Sequence, residues 1–131
     1  MLVETSAIVA IILEEPDALE LAERLDAAER PVTTIVNAFE AALSVGRVIG
    51  NRALAARLVP DFLRATGVEM IGIEAELYDN VVEAYARYGK GTGHPAALNF
   101  GDCFSYAMAD RLGVPLLYKG NDFSNTDLRG T

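Results

Sequence analysis

Four short apolar runs, alternating with stretches of helical periodicity, constrain the fold of this chain more than any other feature. Met1-Leu2-Val3, Val32-Thr33-Thr34-Ile35, Val68-Glu69-Met70-Ile71 and Val114-Pro115-Leu116-Leu117-Tyr118 read as strands. Thr5-Ser6 is expected to cap a helix from Ala7 to Glu14, and a second runs from Ala18 to Glu29 after the break at Glu15-Pro16-Asp17. Asn37 to Val48 reads as a helix with Phe39, Ala42 and Leu43 inward, and Arg52 to Ala65 as another, stopped by Gly67. Glu74 to Tyr88 follows, with Leu77, Val81, Val82 and Tyr85 marking its buried side. A last helix begins near Asn99, where Cys103, Phe104, Ala107, Met108 and Leu112 recur at helical spacing. Strands alternating with helices predict an α/β fold, a parallel sheet with helices on both faces. The chain has 131 residues, 51% of them hydrophobic, which suits a single domain over 1–131.

In such a sheet, sites form beyond the carboxyl ends of the strands, near the point where strand order reverses. Glu4 ends the first strand, Glu40 lies in the first turns of the helix after the second, Asp102 sits in the first turn of the last helix, and Asp122 follows the fourth strand. Asp102 by itself would be read as an acid favoured by a helix dipole. Four carboxylates brought together repel one another, a cost that a divalent cation removes, and oxygen ligands without His or Cys suit Mg²⁺ or Mn²⁺.

Composition narrows the possible partners. Eleven basic against nineteen acidic residues leave a net charge of −8, which disfavours non-specific attachment to a phosphate backbone, so any contact with nucleic acid is local. The one cysteine, Cys103, excludes an intrachain disulfide and is expected to be a buried small hydrophobe. The longest apolar stretch, Ala7 to Leu13, is too short for a bilayer, and no basic segment precedes a long apolar run. A soluble, cytoplasmic protein without membrane contact is expected. His94 and the glycines from Gly89 to Gly93 read as a solvated loop, without the full phosphate-loop pattern.

Val3-Glu4-Thr5-Ser6-Ala7, Glu40, Leu98-Asn99-Phe100-Gly101-Asp102-Cys103, and Gly120-Asn121-Asp122-Phe123 followed by Thr126-Asp127 together resemble PIN-domain ribonuclease toxins of the VapC family. The resemblance spans nearly the whole chain. It implies a PIN-like fold with a sheet of about five strands and Mg²⁺-dependent cleavage of RNA phosphodiesters by metal-activated water. It also implies inhibition by a cognate VapB-type antitoxin, and a homodimer or higher assembly. Glu4, Asp102 and Asp122 would hold metal, Glu40 would hold it or orient the water, and Thr5, Ser6, Asn121 and Thr126 would support them. Thr5 and Ser6 can equally be helix caps, and Asp127 either a fifth acid or a turn residue. The family's first acid is normally Asp. Glu4 is one methylene longer, which opens a second reading: a catalytically weakened module acting mainly as a binding and regulatory partner of its antitoxin.

Overall fold

The structure, a computed structural model, describes residues 1–128; residues 129–131, to which the single-domain expectation extends, lie outside it. Its elements in chain order are β1 (Leu2–Val3), α1 (Thr5–Ile12), α2 (Ala18–Asp26), β2 (Val32–Thr34), α3 (Ile35–Ile49), α4 (Arg52–Thr66) and β3 (Glu69–Ile71). A single 3-10 turn (Ala75–Leu77) then leads into α5 (Tyr78–Tyr88), followed by α6 (Phe100–Leu112) and β4 (Leu116–Leu117). The sheet is parallel, in the order β3-β2-β1-β4. Four strands are therefore present among the described residues, where the resemblance implied about five.

Very short strands suffice because each residue serves a different layer. Successive side chains on a strand point to opposite faces. Leu2 and its partner Leu116 join a core with Tyr88, Leu98, Cys103, Met108 and Phe123. Val3 and its partner Leu117 join a second core with Ile8, Leu21, Ala41, Val59 and Leu63. Leu2, Val3, Leu116 and Leu117 are all fully buried.

Two expected inward faces are corrected. On α3, the small residues Ala38, Ala41 and Val45 face the core, whereas Phe39 is 62% and Leu43 42% exposed. On α5, Ala84 and Tyr88 are buried, while Val82 and Tyr85 are exposed. Close packing of helices onto a sheet favours the small face, and the large apolar side chains are displaced to the surface. On α6, Cys103, Ala107 and Met108 are buried as expected, but Leu112 is exposed. Gly67 ends α4 as expected, in the left-handed conformation (φ 70°) that glycine adopts without strain.

Two strand-to-helix junctions have almost no loop. α1 starts two residues after Val3 and α3 immediately after Thr34, so the first turns of both helices sit at the carboxyl edge of the sheet. The chain runs from β1 outward through β2 to β3 and then returns to β4 on the other side of β1, which places the reversal of strand order between β1 and β4.

Candidate active site

At that reversal lies a cleft of about 330 Å³ lined by Glu4, Glu40, Asp102 and Asp122, together with Thr5, Ser6, Asn99 and Lys119. All four acids selected from sequence thus share one cavity. Glu4, Asp102 and Glu40 are each held by a different device.

Glu4, rather than Thr5 or Ser6, is the N-cap of α1, and its backbone N–H donates to Leu117 O (2.9 Å), pinning it to β4. Its longer side chain folds back over the helix start: Oε2 accepts from the Ser6 N–H (2.8 Å) and from the Ser6 hydroxyl. The extra methylene is absorbed in this turn. Ser6 Oγ in turn accepts from the Lys119 N–H (2.8 Å), joining the segment after β4 to the start of α1.

Asp102 completes a capping box on α6. Asn99 Oδ1 accepts from the Asp102 N–H (2.9 Å) and Asp102 Oδ2 accepts from the Asn99 N–H (3.0 Å), satisfying two donors that a helix start leaves unpaired. The helix-start reading of Asp102 therefore holds for one of its oxygens, on a residue that also lines the cleft.

Glu40, one turn into α3, accepts the Thr5 hydroxyl at Oε1 (2.7 Å). Its carboxylate lies against the backbone of Gly101, where a Cβ would stand 2.7 Å from Glu40 Cδ and closer still to Oε2. Only glycine leaves room for that carboxylate. Asp122 is exposed at the mouth of the cleft.

The electrostatics follow from burial. Glu4 is 5% exposed, and removal from water pushes its carboxyl up to about 7 against the opposing hydrogen bonds from Ser6, with the charges of Asp102 and Glu40 adding to the rise. Burial likewise raises Asp102 to about 6, opposed by the Asn99 N–H and reinforced by Asp122 and Glu40. The site therefore stores unfavourable negative charge. Glu4, Glu40 and Asp102 each keep one carboxylate oxygen outside these hydrogen bonds, and no histidine or cysteine lines the cleft, so the donors suit a hard cation. As the side chains lie, engaged with Ser6, Thr5 and Asn99, no three His, Cys, Asp or Glu side chains among the described residues are grouped to chelate one ion.

Other expected roles divide. Thr5 and Ser6 do contact the acids, but Thr126 caps the Phe123 carbonyl (2.7 Å) and Asn121 accepts the Ser124 N–H through its main chain (3.1 Å), both as turn residues. Asp127 does not line the cleft. It accepts the Tyr106 hydroxyl and pairs with Arg87 (3.7 Å). His94 shapes its loop, accepting the Ala96 N–H (3.1 Å) and packing edge-on against Tyr88. Lys119 was missed: it lines the cleft while its ammonium is held by Glu15 (3.1 Å) and Asp17 (3.6 Å), and its position just after β4 was the available signal.

The PIN domain family model matches residues 1–128. A VapC ribonuclease of Rhizobium meliloti (strain 1021) is 45% identical, the alignment covering 96% of this chain and 97% of the relative. Ribonuclease VapC42 of Mycobacterium tuberculosis (strain ATCC 25618 / H37Rv) is 40% identical over 98% of this chain and 97% of its own. Among solved structures, Mycobacterium tuberculosis VapC20, described as a sarcin-ricin loop cleaving toxin, superposes with a TM-score of 0.78 over 99% of this chain and 97% of that one; at 21% identity it speaks to the fold. With the family model matching residues 1–128 and relatives of this similarity along almost its full length, the chain belongs to the PIN-domain family, among its VapC ribonucleases.

Proposed function

We propose that this protein is a Mg²⁺- or Mn²⁺-dependent endoribonuclease, the toxin component of a type II toxin–antitoxin system, hydrolysing RNA phosphodiesters in the cytoplasm. The observation that carries the reading is the convergence of Glu4, Glu40, Asp102 and Asp122 on one cleft in which two of them are buried and mutually repelling. Those four would hold the metal. A divalent cation there would supply an activated water for attack on phosphorus and would neutralise charge on the leaving oxygen.

The protein's own contribution is placement. Ser6 holds one oxygen of Glu4, the capping box holds one of Asp102, and Thr5 with Gly101 confines Glu40, so the remaining oxygens are presented from rigid helix starts. Asp122 adds a solvent-exposed carboxylate to the same cleft. Lys119 lines the same cleft, its ammonium paired with Glu15 and Asp17. No observation favours the weakened-module reading, since the length of Glu4 is taken up by its turn onto Ser6.

A VapB-type antitoxin as inhibitor and a homodimer belong to the same proposal. It is supported by large apolar side chains left exposed on α3 (Ile35, Phe39, Leu43) and at the start of α6 (Phe100, 78% exposed). Incubating purified, antitoxin-free protein with RNA tests the central claim. Cleavage should require Mg²⁺ or Mn²⁺, stop with chelator and disappear in Asp102→Asn; cleavage that persists in chelator would refute it.

A further inference from the structure

Behind Glu40 lies a line of polar side chains whose hydrogen bonds all run one way. Asn37, Thr34 and Ser105 are each at most 1% exposed, on α3, at the end of β2 and on α6. The Asn37 N–H donates to Thr34 Oγ1 (3.3 Å), and that hydroxyl donates to Asn37 Oδ1 (2.8 Å). With its oxygen so used, the Asn37 amide turns its nitrogen toward the other side. Nδ2 donates to Ser105 Oγ (2.9 Å) and to Thr5 Oγ1 (3.2 Å). A hydroxyl carries one proton, and Thr5 Oγ1 already accepts from Asn37. The Asn37 N–H occupies a lone pair and fixes where the hydroxyl sits, and its own proton goes to the acceptors left in reach, the Glu40 carboxylate at Oε1 (2.7 Å) or, more weakly, Asn37 O (3.4 Å).

We infer that Asn37 is a positioning residue for the active site, fixing the hydroxyl of Thr5 as a donor to Glu40 so that one carboxylate oxygen is anchored and the other is left for the metal. The inference rests on the metal-site reading above, and it assigns a role to a residue buried among three elements with no place in the cleft lining. Sequence spacing fits the device. Asn37 stands one helical turn before Glu40, and Ser105 one turn after Asp102, so one buried amide meets both acid-bearing helices. Thr34, Asn37 and Ser105 leave no buried side-chain polar atom unpaired, as a network with a single proton direction requires.

Calorimetric titration of the full-length, antitoxin-free protein with Mn²⁺ tests it. Asn37→Asp keeps the shape but removes the N–H, so the Thr5 hydroxyl is drawn away from Glu40; Thr5→Val removes the hydroxyl. Each is expected to weaken Mn²⁺ binding about 10-fold, the lower range for groups that orient a metal ligand. The double variant should be no weaker than either single one, because both act through the same hydrogen bond. Thr5→Ser, which keeps the hydroxyl, should retain wild-type affinity, and in Asn37→Asp and Thr5→Val RNA cleavage should fall in kcat with KM unchanged. If Asn37→Asp does not fold, the smaller neutral Asn37→Ser takes its place in the same cycle. Additive losses, or an Asn37 variant with lowered melting temperature and wild-type Mn²⁺ affinity, would overturn the role of Asn37. A wild-type protein that takes up no Mn²⁺ would overturn the metal-site reading along with it, an outcome distinct from wild-type binding that the variants leave unchanged.

Discussion

Glu4 makes the stability of the metal-free protein depend on pH in a direction opposite to that of an ion-paired carboxylate. Its carboxyl rises from 4.5 to about 7 on folding because burial disfavours the charged form. The folded state therefore binds the Glu4 proton more tightly than the unfolded chain does. The resulting stability is fully present below pH 4.5, declines as pH rises and is gone above pH 7. Integrated from pH 5 to pH 8, this one group accounts for roughly 2.5 kcal/mol of lost stability. Urea unfolding of metal-free wild type and Glu4→Gln at both pH values reads the effect of this carboxyl together with its coupling to Asp102 and Glu40, since the amide cannot ionise and groups away from the cleft cancel in the difference. Wild type should lose roughly 2.5 kcal/mol more than the variant across the interval, and saturating Mg²⁺ should recover most of it at pH 8. Equal losses in the two proteins would refute the claim that burial of an ionised Glu4 strains the fold.

Gly101→Ala separates placement from stability: alanine is the better helix former by about 1 kcal/mol, yet its Cβ would occupy the space of the Glu40 carboxylate, so melting temperature should hold while RNA cleavage falls on the order of 100-fold. Asp102→Asn should abolish Mn²⁺ uptake measured calorimetrically while circular dichroism stays native, because an amide oxygen still accepts from the Asn99 N–H. Tyr106→Phe removes the hydroxyl bound to Asp127 and should cost about 1 kcal/mol in urea unfolding with little change in cleavage, as neither residue lines the cleft. Phe100→Asp should shift light-scattering mass toward the monomer if the exposed start of α6 lies in a self-association surface.

Periodicity located the helices well and their orientation poorly. The pattern over α3 marks an apolar helix, but it also carries Ile35, Phe39 and Leu43 on a side that the core does not use. Hydrophobic spacing records that a stripe is apolar; whether a sheet or a partner covers it depends on how closely the backbone must approach, which Ala38 and Ala41 decide. Glu4, Glu40, Asp102 and Asp122 were legible because short strands in a parallel sheet leave few places for such acids to converge. Asn37 and Ser105 were not, since a polar residue inside an amphipathic pattern looks the same whether it meets solvent or a buried network. Asn99-x-x-Asp102 carried its own signal, that of a capping box, which accounts for the hydrogen bonds Asp102 makes to the start of α6.

β1 is only Leu2 and Val3, one side chain to each core, and Glu4 follows without a spacer. Deleting a single residue here would turn each of these side chains toward the wrong half of the molecule and carry the first acid to the opposite side of the sheet. The segment therefore behaves as a reading frame, in which a shift by one destroys folding and catalysis in the same step. Substitutions among Val, Ile and Leu at these two positions should be accommodated, whereas length variation should be confined to distant connections such as 89–97. In a deep mutational scan, the boundary between tolerated exchange and forbidden insertion should fall sharply at the first turn of α1.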